Sequence, residues 1–301
     1  MAEPTAAPEA SLRASRGLLG PTGPFLHRLW GTRLAGPGVV VVLGLIFAAL
    51  AADLMSPYSP SHQDYTAVLH APSPAHPMGT DELGRDVLSR VIHGSRVSLQ
   101  AGFVAVALAT LAGIVIGLPA GYCGGKVDEL LMRLVDAVYS FPALLLALAI
   151  TAALGPGIVN VMIAVGVVYM PVFARLVRAQ VLSVREREFV LAARMIGARP
   201  GRIMLRHIWP NVTAAIIVQA SLSVSFAIIV EASLSFLGVG VQPPTPSWGS
   251  MLRTGYQYMD IAIWLSIFPG MVIFVTVLGL NFLGDGLRMV LDPRLRQRDV
   301  A

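Results

Sequence analysis

Charged residues are scarce in this chain of 301 residues. They make up 13% of it, whereas soluble domains carry about 25%. Hydrophobic residues make up 55%, and the mean hydropathy is +0.70. This composition excludes an ordinary soluble domain and indicates an integral membrane protein that lies in a lipid bilayer.

Cysteine and catalytic motifs are also lacking. Cys123 is the only cysteine, so the chain can form no internal disulfide and no thiolate metal cluster. The stretch ending at Gly125-Lys126 lacks the first glycine and the final Ser or Thr of a phosphate-binding loop. No nucleophile–base set or pair of carboxylates stands out. We therefore predict no catalytic residue and no cofactor in this chain.

Four histidines lie in the polar segment at 53–98, and they could indicate a metal site. They are His62, His70, His76 and His93. Their spacing matches neither helical nor hairpin metal ligands, so we predict no metal site.

Long apolar runs predict six membrane-spanning helices. The runs lie at about 34–52, 99–121, 137–154, 158–174 and 211–240, with the last between Asp260 and Asp285. Gly155-Pro156-Gly157 divides the third run from the fourth. Within the fifth run, Glu231 is the only charged residue. It could line a translocation path, or it could be a helix-end residue with a neighbouring serine or backbone partner.

Arginine and lysine lie mainly on one side of these six spans. Of the 22 such residues, 18 lie in the two tails and in the loops at 122–136 and 175–207. The positive-inside rule therefore predicts that both termini are cytoplasmic. The basic pI of about 9.8 follows from this topology, so it does not indicate a nucleic-acid partner.

The predicted layout has five parts. They are a flexible tail at 1–33, a first transmembrane helix at 34–54, an external segment at 55–98, a five-helix core at 99–288 and a tail at 289–301. In the external segment, Thr80 or Asp81 can cap an amphipathic helix. Such a helix fits the membrane surface, and it fits equally well against the rest of the segment.

An arginine-rich segment at 183–211, which we call the elbow, separates the fourth and fifth spans. Phe189, Ala192, Ala193 and Ile196 fall at helical spacing and form an apolar face. Gly197 can end that helix; a second short helix at 202–207 follows, and Pro210 closes the unit. The elbow is either a plug that docks into another protein or an ordinary basic loop.

The elbow resembles the coupling loop of ABC importer permeases. Ala192-Ala193, then Gly197 and Pro210 follow the family pattern, whereas Leu191, His207 and Trp209 depart from it. Three further stretches resemble dipeptide, oligopeptide and nickel permeases. They are 79–90 (Gly-Thr-Asp-Glu-Leu-Gly-Arg-Asp-Val-Leu-Ser-Arg), 231–238 (Glu-Ala-Ser-Leu-Ser-Phe-Leu-Gly) with Pro243-Pro244 and Trp248-Gly249, and 283–288 with 291–294.

This resemblance implies an all-α fold with six transmembrane helices, like that of a type I ABC importer permease. It implies a subunit that pairs with a second homologous permease, two ATPase subunits that bind ATP and Mg, and an external substrate-binding protein. The cargo would be di- or oligopeptides, with nickel as the alternative. The residues expected to dock the ATPase are Arg185, Glu188, Phe189, Ala192, Ala193, Arg194, Ile196, Gly197 and Arg202.

An ion-coupled secondary transporter is the alternative from another class. It would use intramembrane charges and often inverted repeats. Glu231 is the only deep charge here, and no repeat is visible. Co-purification with an ATPase would separate the two hypotheses.

Overall fold

A computed structural model describes residues 35–291, which form helices joined by turns and contain no β-strand. In chain order the helices are α1 (Ala35–Leu50), α2 (Ala52–Met55), α3 (Val87–Cys123), α4 (Gly125–Tyr139), α5 (Ala143–Leu154), α6 (Ile158–Arg185), α7 (Glu188–Met195), α8 (Pro200–Ile203), α9 (Trp209–Phe236), α10 (Trp248–Gln257) and α11 (Trp264–Leu291). The tails predicted at 1–33 and 289–301 lie wholly or largely outside the described residues.

Four helices are long and apolar enough to cross a membrane. They are α3, α6, α11 and the continuous run Pro200–Phe236 that ends in α9. The bent pair of α4 and α5 makes a fifth if the pair counts as one span, and α1 is a shorter apolar helix with 16 described residues. The described residues of α1 extend about 24 Å along the helix axis. The predicted all-α membrane fold is confirmed, and the sixth span stays a prediction.

The most extensive packing in the bundle joins α3 to α6. Gly113, Gly117 and Gly121 recur every four residues on one face of α3. A Cβ added at Gly113 would lie 2.4 Å from the Cβ of Phe173, and one added at Gly117 would lie 2.5 Å from the carbonyl oxygen of Ala174. Only glycine allows the two backbones to approach so closely. These small residues therefore bring together two helices of the same chain.

The third predicted span, 137–154, is not one straight helix. α4 and α5 meet at 89° around Pro142. Phe141 precedes that proline, and the residue before a proline is sterically disfavoured in a helix. The 12 residues of α5 reach about 18 Å, so α5 alone does not cross the bilayer. The prediction of a single helix was wrong because composition alone does not reveal the bend.

Ion pairs hold α4 against α6. Arg178 binds both carboxylate oxygens of Asp128, with its Nη2 2.6 Å from Oδ2. Arg175 donates to Asp136 at 2.7 Å and lies over the ring of Tyr139. The bidentate contact fixes orientation as well as distance, so α4 is pinned across α6.

Buried charges organise the segment before α3. Asp81 is 4% exposed; it accepts a hydrogen bond from Arg85 at 2.7 Å and lies 3.3 Å from Nε of Arg90. Arg85 also donates to Glu82, and burial raises the pKa of the Glu82 carboxyl above its usual value. This compact network explains how a polar segment keeps a defined shape.

The helix predicted to begin at Thr80 or Asp81 begins instead at Val87. Asp86 is its N-cap and accepts a hydrogen bond from the backbone N–H of Ser89 at 2.7 Å. α3 then continues for 37 residues without a break. The amphipathic stretch is therefore the first part of a spanning helix, and it is not a separate helix on the membrane surface.

Two of the four histidines in this segment have separate acidic partners. His76 Nδ1 lies 2.9 Å from Asp86, and His93 Nε2 lies 3.2 Å from Asp53. Within residues 35–291, no group of three or more His, Cys, Asp or Glu side chains is placed to hold a metal ion.

Pro210 does not close the elbow as predicted, because it lies in the first turn of α9. α8 and a π turn at Met204–Ile208 lead directly into α9, and the N–H of Trp209 donates to the carbonyl of Met204. Such a turn widens the helix just before the proline, whose ring clashes with the carbonyl four residues earlier in a regular helix. The elbow is thus continuous with the span that follows it.

The close contact between α3 and α6 predicts a strong effect of one added methyl group. Gly113→Ala should lower the stability of the purified protein by about 1–3 kcal/mol, because its Cβ overlaps Phe173. Gly44→Ala is the matched control, since a Cβ at Gly44 meets no other atom within 4 Å. Thermal unfolding in detergent measures both variants. Equal melting temperatures would contradict this account of the packing.

Candidate functional site

The elbow is anchored to the bundle on one side. Val190 and Ile203 are 0% and 1% exposed, and both belong to the main hydrophobic core together with Val181 and Val184 of α6. Burial of these side chains fixes α7 against the end of α6 and holds α8 in the same hydrophobic core. The elbow is therefore a packed part of the fold.

The opposite side of the elbow exposes apolar side chains. Phe189 is 41% exposed, Met195 88% and Ile196 85%. Ala192 is exposed as well, so only Ala193 of the predicted apolar face is buried in this chain. Exposed apolar surface costs about 25 cal/mol per Å² relative to burial. A cluster of this kind is typical of a surface that another protein covers.

Basic side chains border this apolar surface. Phe189, Ala192 and Ile196 line an open concavity together with Arg199, Arg202, Arg206 and His207. Among the described residues that line it, none carries a carboxylate. The arrangement suits a partner with an apolar projection and acidic residues around it.

Gly197 ends α7 in the predicted way. Its φ is +78°, a conformation that costs most L-residues about 1–2 kcal/mol. The N–H of Gly197 donates to the carbonyl of Arg194, and the N–H of Ala198 donates to that of Ala193. These two bonds form a Schellman motif. A Cβ at Gly197 would meet no atom within 4 Å, so a side chain there would point away from this chain.

Two of the predicted docking arginines have partners within the chain. Arg185 donates to the carbonyl of Gly121 at 2.7 Å and to Glu186 at 2.9 Å. The guanidinium of Arg194 lies 5.3 Å from the ring centre of Tyr122. Both contacts tie the elbow to the end of α3. Glu188 lies in the first turn of α7, where its charge suits the positive end of the helix.

Met195, Arg199 and Arg206 also lie on this surface of the elbow, and they were not among the docking residues predicted from the sequence. Helical spacing places Met195 off the Phe189–Ile196 face, yet nearly all of α7 is exposed. Arg199, Arg202 and Arg206 recur at steps of three and four, and that spacing could have revealed the basic border.

Glu231 lies near the C-terminal end of α9 and is 1% exposed. The hydroxyl of Ser235 donates to its Oε1 at 2.7 Å and accepts from the N–H of Val241 at 3.2 Å. Ser98 and Ser247 also lie near the carboxyl group. Within residues 35–291, Oε2 has no hydrogen-bond partner. The structure thus places Glu231 inside the bundle, where it joins α9 to the loop that follows it.

Comparisons with known proteins agree with this architecture. The family of binding-protein-dependent transport system inner membrane components matches residues 113–297. The dipeptide transport system permease DppC of Alkalihalophilus pseudofirmus is 44% identical over 264 residues, which cover 88% of this chain and 87% of that protein. The di/tripeptide permease DppC of Pseudomonas aeruginosa is 45% identical over 86% of this chain and 88% of that protein. The glutathione permease GsiD of Pectobacterium atrosepticum is 42% identical over 90% of this chain and 91% of that protein.

A solved structure shows the same fold. The chain is similar to a chain of the inward-facing MetNI methionine ABC transporter, with a TM-score of 0.55 and 20% identity. The match covers 67% of this chain and 96% of that one. The expected likeness to an ABC importer permease is confirmed at the level of fold. The chain therefore belongs to the family of binding-protein-dependent transport system inner membrane components.

Proposed function

We propose that this chain is a permease subunit of an ATP-driven importer that carries di- and oligopeptides across the cytoplasmic membrane. The single observation that carries the proposal is its identity of 42–45%, over most of its length, to permeases named for dipeptides, di/tripeptides and glutathione. These three cargoes share peptide chemistry. The helical bundle supplies a membrane path, and the elbow supplies a surface for a partner.

The energy source in this proposal is a pair of separate ATPase subunits, which bind ATP and Mg. A second homologous permease completes the path, and an external binding protein delivers the cargo. The distribution of arginine and lysine supports cytoplasmic termini and a cytoplasmic elbow, where the ATPases would reach it.

The geometry of the elbow favours transmission of a mechanical shift. α7 is packed on the end of α6, and α8 is continuous with α9 through the π turn. Arg185 and Arg194 add contacts to the end of α3. A force on Phe189 and Ile196 would therefore move α3, α6 and α9 as packed bodies between two states.

Substitution of Glu231 separates its two proposed roles, which are a structural hydrogen-bond acceptor for Ser235 and a charged residue in the translocation path. Glu231→Gln keeps an oxygen that accepts from Ser235, whereas Glu231→Ala removes it. Because the side chain is buried, we expect Gln to retain stability and uptake. We expect Ala to lose about 1–3 kcal/mol of stability through the unpartnered hydroxyl. Melting temperature and peptide uptake are measured for both. Loss of uptake in a fully stable Gln variant would indicate instead that the charge acts in the path.

The docking role of Gly197 predicts a defect in assembly without a defect in folding. Asparagine tolerates positive φ, so Gly197→Asn should fold normally and place a side chain in the partner's cleft. We expect affinity for the ATPase to fall about tenfold, or ~1.4 kcal/mol, with a matching loss of uptake. Gly125→Asn is the control, because Gly125 also has positive φ and open space. Unchanged ATPase co-purification with Gly197→Asn would refute the docking role.

The cargo is tested by uptake in cells that lack this chain. Uptake of labelled dipeptides and oligopeptides should disappear, return with the wild-type chain and depend on ATP. Nickel uptake should be unaffected. Loss of nickel uptake alone would favour the metal as cargo, and peptide uptake driven by an ion gradient without ATP would favour a secondary transporter.

A further inference from the structure

A polar groove opens where α6, α9 and α11 meet the elbow. Its volume is about 520 Å³. Along α9 its lining runs from Asn211 to Leu222. That distance is about 16 Å at 1.5 Å per residue, roughly half of the ~30 Å hydrocarbon core. The groove therefore reaches from the elbow into the middle of the bundle.

Carboxamide side chains lie along the length of the groove. Gln180 comes from α6, and Gln219 and Asn211 come from α9, beside the small Ala215. Polar side chains in transmembrane helices usually face a bundle interior or water, because lipid tails offer them no hydrogen-bond partner. This face of the bundle is therefore suited to a wet path. Amide groups also match the hydrogen-bonding pattern of a peptide backbone.

The charged side chains among the described residues that line the groove are all basic. Arg187 and Arg288 lie among its lining residues, and the described residues that line it include no carboxylate. A guanidinium binds a carboxylate through two parallel hydrogen bonds. The groove therefore favours an anionic group at the end that carries the arginines.

We propose that this groove is a peptide-binding surface in the translocation path. Arg187 and Arg288 hold the C-terminal carboxylate of the cargo, and Gln180 and Gln219 hydrogen-bond its backbone. The inference rests on the proposed import of peptides, and it adds a site on this subunit for a free C-terminus. Glu231 is not part of this surface. It is buried, and it lies about 18 Å beyond Gln219 along the axis of α9.

Cysteine labelling in the assembled transporter tests the site. Cys123→Ser removes the only cysteine, and Ala215→Cys then places a thiol in the groove. In nucleotide-free transporter, an anionic methanethiosulfonate reagent should react several-fold faster than a cationic one. A dipeptide with a free C-terminus should slow the reaction, and the same dipeptide with an amidated C-terminus should slow it less.

Matched controls identify the groups responsible. Arg187→Gln with Arg288→Gln should abolish the preference for the anionic reagent, whereas Arg133→Gln, on the exposed side of α4, should preserve it. The native Cys123 is exposed outside the groove, so dipeptide should not protect it in the unsubstituted chain.

Three results would overturn the inference: no reaction at the thiol introduced by Ala215→Cys, equal rates for the two reagents, or no protection by dipeptide in a transporter that imports it. The first would mean that protein or lipid fills the groove. Failure of the wild-type transporter to import any peptide would instead refute the proposed function, and the uptake assay detects that independently.

Discussion

The close glycine contact between α3 and α6 holds together the two helices on which the elbow, α4 and the polar groove depend. A methyl group at Gly113 would lie 2.4 Å from Phe173, so the two helices approach as closely as their backbones permit. The end of α3 then supplies Gly121 and Tyr122 to hold Arg185 and Arg194. α6 carries the arginines that pin α4, leads into the elbow and forms one wall of the polar groove.

This arrangement places two basic surfaces next to each other with different chemistry. The concavity of the elbow combines exposed Phe189 and Ile196 with arginines, which suits a protein partner. The groove combines amides with arginines, which suits a small anionic ligand. α6 and α9 line the groove, and the elbow connects these two helices. A shift of the elbow would therefore also reshape the groove. Through this coupling, closure of the ATPase subunits would change the groove and release the cargo.

Local sequence signals predicted the features that depend on local chemistry. Gly155-Pro156-Gly157 separates α5 from α6, and Gly197 ends α7 through its positive φ. The other features depend on contacts between residues that are far apart in the chain. Arg185 pairs with a carbonyl 64 residues earlier in the chain, which no local pattern indicates. The charge pattern does not indicate the bend at Pro142, because the run around it is uncharged, although the proline itself was a usable signal.

The proposed function depends most on one contact, the binding of a separate ATPase subunit to the elbow. A photoreactive amino acid at position 196, which is 85% exposed and lies at the end of α7, tests it most directly in the assembled transporter. The account predicts that the main cross-linked product joins this chain to an ATPase subunit. A product with the external binding protein, or only with lipid, would contradict it.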